Sequence, residues 1–351
     1  MTPKEMIETY GVPVDRLMQK WFIDHPSTIP AYKMTEYHLG WRDRSLAPSK
    51  APQGKMLRPV LCLLSYQIFR DTLETALPLA AAIELYHNHT LVLDDIQDSD
   101  DFRRGRPTVW SLWGIGQGIN VGLILGYLSG KFLLSLSQKG TSKENLFALE
   151  AQMNEAMVEV AEGQSLDLDF ETRMSVEPSE YLTMIGKKTG ALIGFSTYGG
   201  AFLGSKDQAL ALKFKDFGRK LGVAMQIKDD LVGIWGGSEQ SGKEEAKDLR
   251  RRKKTFPFFQ ALKHLQGNDL KLLQEYFKSS EAPDEKTVNR LVELLETHGV
   301  REACEKEAND LMKEVFLALS ATGIPIEKLG PLETFSKHAF HSIGTLRQPV
   351  S

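Results

Sequence analysis

Five aspartates follow an apolar segment in the first third of the chain, and four of them fall within one short run. Asp94, Asp95, Asp98 and Asp100 lie in "LDDIQDSDD", directly after "LPLAAAIELYHNHTLV". If the helix that begins near Pro78 continues to residue 98, Asp94 and Asp98 stand one turn apart on the same face. Paired oxygen ligands suit Mg²⁺, whose other positions are filled by water and phosphate oxygens. The alternative is a solvent-exposed helix end, but anions there oppose the helix dipole, so the pair favours a metal site.

A second acidic pair, Asp229 and Asp230, ends the apolar segment "GVAMQIKDDL". Basic residues follow both pairs: Arg103, Arg104 and Arg106 after the first, and Lys243, Lys253 and Lys254 after the second. A basic run is usually a solvated face. An acidic pair followed by a basic cluster, occurring twice, predicts a diphosphate held by metal on one side and by Lys and Arg on the other.

Two further basic groups interrupt apolar helical patterns. Lys55 and Arg58 are three residues apart in "GKMLRP", so both are expected on one side of a first helical turn, where anions are favoured. Lys187 and Lys188 lie in "GKKTG", where a buried lysine is costly unless an anion meets it. Snorkelling to solvent explains Lys187, whereas the following hydroxyl and glycine favour a ligand role for Lys188.

Helices must position these residues, because apolar residues recur three and four positions apart over most of the chain. Period-two alternation and repeats are not evident, so we predict one all-α domain spanning residues 1–351, with long helices around a common core. The glycine-rich stretch 114–130 matches neither GxGxxG nor the P-loop. Gly122, Gly126 and Gly130 recur every four residues there, which favours close helix packing over the alternative of ligand binding.

Composition excludes several classes of protein. The 351 residues carry a net charge of −3, which gives no indication of a nucleic-acid partner. Two distant cysteines, Cys62 and Cys304, argue against a disulfide framework or a zinc site and fit a reducing compartment. The N-terminus is polar, and the longest apolar run, residues 76–93, contains a glutamate and two histidines. We therefore expect a cytoplasmic protein without stable membrane insertion.

Taken in order, the motifs of roughly residues 54–257 resemble those of the trans-isoprenyl diphosphate synthases. The similar segments are "GKMLRP", "ELYHNHTLVLDDIQD", "RRGRPT", "EGQSLDLDFE", "YLTMIGKKTGALIG", "QIKDD" and "GK…DLRRRKKTFP". The resemblance implies an isoprenoid synthase-type helix bundle around a central cavity, a Mg²⁺ cofactor and a homodimer. It also implies a reaction in which an allylic diphosphate loses its diphosphate and isopentenyl diphosphate attacks the allylic cation.

The resemblance further implies roles for individual residues. Those expected to bind Mg²⁺ are Asp94, Asp98 and Asp229, with Asp95 in support. Those expected to hold the allylic diphosphate are Arg103, Lys188 and Lys253. Those expected to hold isopentenyl diphosphate are Lys55, Arg58, His87 and Arg104. Those expected to face the developing carbocation are Thr189 and Gln226.

Three positions depart from the family pattern. The second acidic motif ends in Gly233 instead of an acid, and Leu93 and Leu123 replace a histidine and an aspartate. The departures leave open a class I terpene synthase, which is a lyase on this fold, and a weakly active partner subunit of a heteromeric synthase. The retained cations of the isopentenyl diphosphate site favour a prenyltransferase, because a cyclase has no second diphosphate to bind.

Product length is expected to depend on residues upstream of the first acidic motif on the same helix. A side chain five positions before Asp94 lies about 7–8 Å from the metal end, and that residue is His89. Thr90 lies beside it and Tyr86 nearly one turn further. In the family a bulky residue at this position goes with products near C20, so geranylgeranyl diphosphate is predicted, with farnesyl diphosphate next. The alternative for His89 is a hydrogen-bonded core histidine.

Overall fold

The computed structural model describes residues 1–51, 54–173, 175–236, 246–279, 281–344 and 346. Helices account for nearly all of the regular structure in these ranges, as predicted. The α-helices are α1 (Pro3–Met6), α2 (Val12–Asp24), α3 (Pro30–His38), α4 (Leu57–Gln67), α5 (Leu77–Gln97), α6 (Val109–Trp113), α7 (Ile115–Leu134), α8 (Lys143–Thr172), α9 (Pro178–Ile185), α10 (Ala191–Ser205), α11 (Gln208–Trp235), α12 (Lys247–Arg250), α13 (Phe256–His264), α14 (Gly267–Lys278), α15 (Glu285–Thr297), α16 (Val300–Ser320) and α17 (Ile326–His341).

Short irregular helices and one hairpin complete the described part. Two π-helical turns span Ile7–Gly11 and Gly186–Gly190, and a 3₁₀ turn spans Ser135–Lys139. Strands β1 (Phe102–Arg103) and β2 (Arg106–Pro107) pair antiparallel directly after the first acidic motif.

The backbone contacts divide the chain into two compact units, each built from three separate segments. The first comprises Met1–Glu155, Phe195–Lys215 and Pro325–Phe335. The second comprises Ala156–Gly194, Asp216–Ile324 and Ser336–Ser351. The single domain spanning residues 1–351 stays a prediction.

In the first unit, α5 carries the first acidic motif out of the core. Its N-terminal half is fully buried from Leu79 to Ile83, as expected for a helix that is apolar on all sides. The helix ends at Gln97 with Asp98 as its C-cap, whose N–H donates to the Asp94 carbonyl at 2.8 Å. The predicted one-turn spacing of the two aspartates is therefore confirmed.

Helix α7 packs against α5 through glycines. A Cβ on Gly122 would lie 3.0 Å from Leu93, and one on Gly126 would lie 3.2 Å from His89 Nδ1, which confirms close packing at these two positions. The prediction is wrong for Gly130, where a Cβ would meet no atom within 4 Å. The segment Ile115–Lys139 is long and apolar enough to cross a membrane, a test of length and composition that core helices of soluble proteins also pass.

In the second unit, glycines bring the π turn Gly186–Gly190 against two helices. A Cβ on Gly163 of α8 would lie 2.2 Å from the backbone nitrogen of Lys188, and one on Gly222 of α11 would lie 2.7 Å from Gly190 Cα. Only glycine permits backbones to approach this closely. The position of Lys188 and its neighbours is therefore set by backbone packing on both sides.

Candidate active site

The first acidic motif combines one buried and one accessible carboxylate. Asp95 is 2% exposed, and it accepts a hydrogen bond from Arg103 Nε at 2.6 Å. Burial raises the pKa of Asp95 to about 6, although Arg103 opposes the shift. The Asp94 side chain is 23% exposed and lies 3.4 Å from Arg103 Nη2. Asp94 is thus the more accessible of the two carboxylates, and its Mg²⁺ role, with Asp95 in support, stays a prediction.

The hairpin β1–β2 directs the arginines that follow this motif. Arg106 anchors it, because its guanidinium donates to the carbonyls of Tyr37 and Arg42 at 3.1 and 2.7 Å. Arg104 has a left-handed backbone (φ 53°) at the turn, and its Nη2 lies 2.7 Å from where a Cβ on Gly54 would be. The structure therefore brings Arg104 to the "GKMLRP" segment, as the predicted isopentenyl diphosphate site requires.

The predicted geometry of "GKMLRP" is wrong for one of its two cations. Helix α4 begins at Leu57, and its N-cap Met56 has a left-handed backbone (φ 49°). Lys55 therefore precedes the helix and is exposed, and only Arg58 lies in the first turn. The left-handed backbone at Met56 is the physical reason that Lys55 lies outside the helix. Helical periodicity does not predict such a residue.

Arg58 is oriented by a neutral histidine. Its Nη1 donates to His87 Nε2 at 3.0 Å. Burial and the Arg58 charge hold the pKa of His87 well below its usual value, so the ring accepts this bond as neutral imidazole. Burial raises the pKa of Glu84, while Arg104 and Arg58 act in the opposite direction. Two guanidinium groups therefore lie near one buried carboxyl, and direct binding of substrate by His87 stays a prediction.

His38 is a buried neighbour of these arginines that sequence analysis missed. Burial, with the charges of Arg104 and Arg103, lowers the pKa of His38 to about 3. Its Nε2 has no hydrogen-bond partner within the described ranges, and it lines a cavity of about 20 Å³ with Asp95 and the arginines. That volume is large enough for one water molecule. A single histidine between apolar and aromatic residues gives no sequence signal for such a position.

The residues predicted to set product length lie along α5. His89 Nδ1 donates to the Gly122 carbonyl of α7 at 2.7 Å, and the ring is half-buried with a lowered pKa, because burial disfavours its charged form. The buried ring of Tyr86 lies 5.3 Å from it. Thr90 donates its hydroxyl to the His87 carbonyl of its own helix at 2.7 Å. One ring nitrogen of His89 is thus hydrogen-bonded in the core, as the core-histidine alternative expects. Its role in limiting the length of the product stays a prediction.

In the second unit, two predicted lysines converge on Asp167. Lys188 Nζ lies 2.6 Å from Asp167 Oδ2, and Lys253 Nζ lies 4.0 Å from the same oxygen. Burial would raise the pKa of Asp167, but the two lysines outweigh it and lower the pKa. Asp167 lies in "EGQSLDLDFE", and its role was not assigned from sequence. Lys187 instead pairs with Glu162 on the surface, as its snorkelling assignment predicts.

A hydrogen-bonded chain connects the predicted carbocation-facing residues to the second acidic pair. Thr189 Oγ1 donates to Gln226 Oε1 at 2.7 Å, and Gln226 Nε2 donates to Asp230 Oδ1 at 3.1 Å. Asp230 also accepts from the Tyr181 hydroxyl and from the Phe256 N–H at 3.0 Å. Burial, aided by Asp248, raises its pKa to about 7.

Asp230 is therefore an anchor between helices, and its half-buried neighbour Asp229 is the better metal candidate. In the part of the chain that the structure describes, no three His, Cys, Asp or Glu side chains form a group that could hold a metal alone. Mg²⁺ does not need such a group, because it commonly takes one or two carboxylates and completes its coordination with water and phosphate. Lys243, the first cation after this pair, lies outside the described residues.

Comparison with known proteins decides the family. The family model described as polyprenyl synthetase matches residues 42–295. The chain belongs to this family. A (2E,6E)-farnesyl diphosphate synthase of Mycobacterium tuberculosis is 33% identical over 311 residues, covering 87% of this chain and 84% of the relative. A geranylgeranyl diphosphate synthase of the same species is 32% identical over 290 residues, covering 83% of this chain and 81% of the relative.

Solved structures agree with this assignment. A polyprenyl synthetase from Streptomyces coelicolor matches with a TM-score of 0.85 and 31% identity, covering 96% of this chain and 98% of that one. A geranylgeranyl pyrophosphate synthetase from Pyrococcus horikoshii matches with a TM-score of 0.82 and 28% identity, covering 96% and 97%. The all-α isoprenoid synthase fold is confirmed. This polyprenyl synthetase is a short-chain trans-prenyltransferase.

Proposed function

We propose that this polyprenyl synthetase elongates an allylic diphosphate with isopentenyl diphosphate and releases mainly geranylgeranyl diphosphate. The observation that carries the proposal is a separate cation group in each unit: Arg58 with Arg104 around Glu84, and Lys188 with Lys253 around Asp167. Condensing two diphosphates requires two such groups, because each substrate carries its own anion.

Product analysis tests this proposal directly. The enzyme is incubated with Mg²⁺, isopentenyl diphosphate and one allylic diphosphate at a time, from dimethylallyl to farnesyl, and the dephosphorylated products are separated by chromatography. We expect a C20 alcohol as the main product. Release of a hydrocarbon without consumption of isopentenyl diphosphate would instead support the terpene synthase alternative.

Each cation group has a distinct task in the proposed reaction. Lys188 and Lys253 hold the allylic diphosphate and stabilise the charge that develops as it leaves. Arg58 and Arg104, with Lys55, hold isopentenyl diphosphate, and His87 keeps Arg58 oriented. Because His87 holds Arg58 and Asp167 holds Lys188 before substrate arrives, little reorganisation of these two cations accompanies charge development.

The remaining assignments concern metal and the carbocation. Asp94, Asp98 and Asp229 would hold Mg²⁺, which when bound neutralises charge on the leaving diphosphate. Arg103, held by Asp94 and Asp95, adds a fixed positive charge at the first motif. Thr189 and Gln226 present oxygen atoms to the allylic cation, and their mutual hydrogen bond fixes the threonine rotamer.

Product length is proposed to depend on the pair His89 and Tyr86. We expect His89→Ala with Tyr86→Ala to shift the main product to chains longer than C20, because two rings are removed beside the path proposed for the growing chain. Thr90→Ala serves as the matched control, since its hydroxyl is occupied by its own helix. Product lengths are measured by mass spectrometry, and an unchanged distribution in the double variant would show that other residues limit the chain.

We propose a cytoplasmic homodimer in which the exposed face of α7 meets a second copy. Ile115, Ile119, Leu123 and Tyr127 recur every four residues and are 43–75% exposed. Residues 114–130 contain no charged side chain, so two copies of this face do not repel each other, as a two-fold symmetric interface requires. We expect Leu123→Lys to shift the mass measured by light scattering from dimer to monomer, whereas Phe147→Lys, another exposed apolar residue, should not.

A further inference from the structure

The missing third acid of the second motif coincides with an unusual glycine. Gly233 lies inside α11, where glycine is less favourable than alanine because it loses more backbone freedom on folding. A Cβ at this position would lie 2.1 Å from Asp248 Oδ2 and 2.6 Å from Asp248 Cγ. The carboxylate of Asp248 therefore occupies the space into which a side chain at residue 233 would project.

The backbone that carries Asp248 is firmly anchored. The neighbouring Leu249 is 2% exposed, and its carbonyl accepts a hydrogen bond from the Tyr276 hydroxyl at 2.9 Å. Arg250 donates two hydrogen bonds of 2.8 Å to Glu285. The two residues that directly follow Asp248 in the short helix α12 are thus held in place, and they fix the backbone that brings the Asp248 carboxylate close to Gly233.

The Asp248 carboxylate occupies the space in which the side chain of the third acid of the second motif would lie. Residue 233 lies one helical turn after Asp229, and side chains one turn apart have Cβ atoms about 5–6 Å apart on the same face. Asp230 is not available instead, because it is 4% exposed and accepts hydrogen bonds from Tyr181, Gln226 and the Phe256 N–H.

We propose that Asp248 supplies the carboxylate that the motif lacks at Gly233. The inference rests on the proposed Mg²⁺ role of Asp229. Bound Mg²⁺ keeps several waters, and carboxylates outside the direct ligands accept hydrogen bonds from such waters and orient them. Asp248 would act in this way, as a positioning residue for metal held at Asp229. Gly233 would then be required because any larger side chain displaces the Asp248 carboxylate.

The test measures binding of inorganic diphosphate by calorimetry, with Mg²⁺ and without it. Asp248→Asn keeps the shape of the side chain and removes its charge. We expect it to weaken diphosphate binding by about 10- to 100-fold with Mg²⁺. Without Mg²⁺ we expect no weakening, since a negative charge has been removed near an anion. A purely structural role would weaken both. Asp216→Asn, an exposed acid of the same helix, is the matched control and should bind as the wild type does.

A carboxylate swap adds a second test. Gly233→Asp combined with Asp248→Ala places the acid at the usual position of the motif, and we expect it to restore Mg²⁺-dependent binding to within a few-fold of the wild type. Gly233→Ala alone should reproduce the Asp248→Asn defect. Wild-type binding in Asp248→Asn, or a folded swap variant no better than Asp248→Ala, would overturn the inference.

Asp229→Ala separates this inference from the function on which it rests. If Asp229→Ala loses Mg²⁺-dependent binding while Asp248→Asn does not, only the role of Asp248 is wrong. If Asp229→Ala itself binds diphosphate with the same Mg²⁺ dependence as the wild type, the proposed metal site at the second motif is wrong as well.

Discussion

Asp94→Ala is expected to lower kcat by at least about 10³-fold, because removing one preorganised charge-stabilising group commonly costs 10²- to 10³-fold and Asp94 is proposed to hold a divalent metal. The fold should survive the change. Asp94 lies at the C-terminal end of α5 and is 23% exposed, and Arg103 keeps its shorter contact to Asp95 at 2.6 Å. Turnover is measured at saturating substrates and Mg²⁺, and helicity by circular dichroism.

Asp101→Ala provides the control for this variant. It removes the same charge seven residues later from an exposed side chain, while the backbone carbonyl of residue 101 still accepts its bond from the Thr108 N–H at 2.9 Å. We expect it to retain near-normal turnover. Near-normal turnover in Asp94→Ala would instead remove the first motif from the proposed metal site.

The second large effect concerns the two cation groups. We expect Arg58→Ala to raise KM for isopentenyl diphosphate by about 10- to 100-fold, because a charge-assisted hydrogen bond contributes about 1.5–3 kcal/mol. Lys188→Ala is expected to reduce kcat, since its charge is proposed to stabilise the leaving diphosphate. Loss of uniform binding appears in KM, and loss of transition-state stabilisation appears in kcat.

Lys187→Ala is the matched control for Lys188→Ala. It removes the same charge from the same π turn, but Lys187 pairs with Glu162 on the surface. Arg58→Lys tests whether loss of the His87 contact, rather than of charge, causes the first defect. The same kinetic defect in Arg58→Ala and Lys188→Ala would contradict separate diphosphate sites.

The role of each aspartate in the two acidic pairs depends on which member of the pair is buried. The spacing of residues in the sequence does not decide this. Asp94 and Asp95 are adjacent, yet Asp95 is 2% exposed and bonded to Arg103. Asp230 is likewise buried beside the half-buried Asp229. Neighbouring residues of a helix point about 100° apart, so the packing of other helices determines which of the two faces the core.

The sequence by itself determined those features of the protein that depend on residues three or four positions apart in the chain. Apolar periodicity predicted the helices and the one-turn spacing of Asp94 and Asp98, and a four-residue spacing placed Gly122 and Gly126 on one face of α7, because residues three or four apart share a helix face. Only the tertiary structure decided the partners distant in the chain. Arg58 meets His87 across 29 residues and Lys188 meets Asp167 across 21. Asp248 reaches Gly233 by the packing of α12 against α11, which no local periodicity encodes.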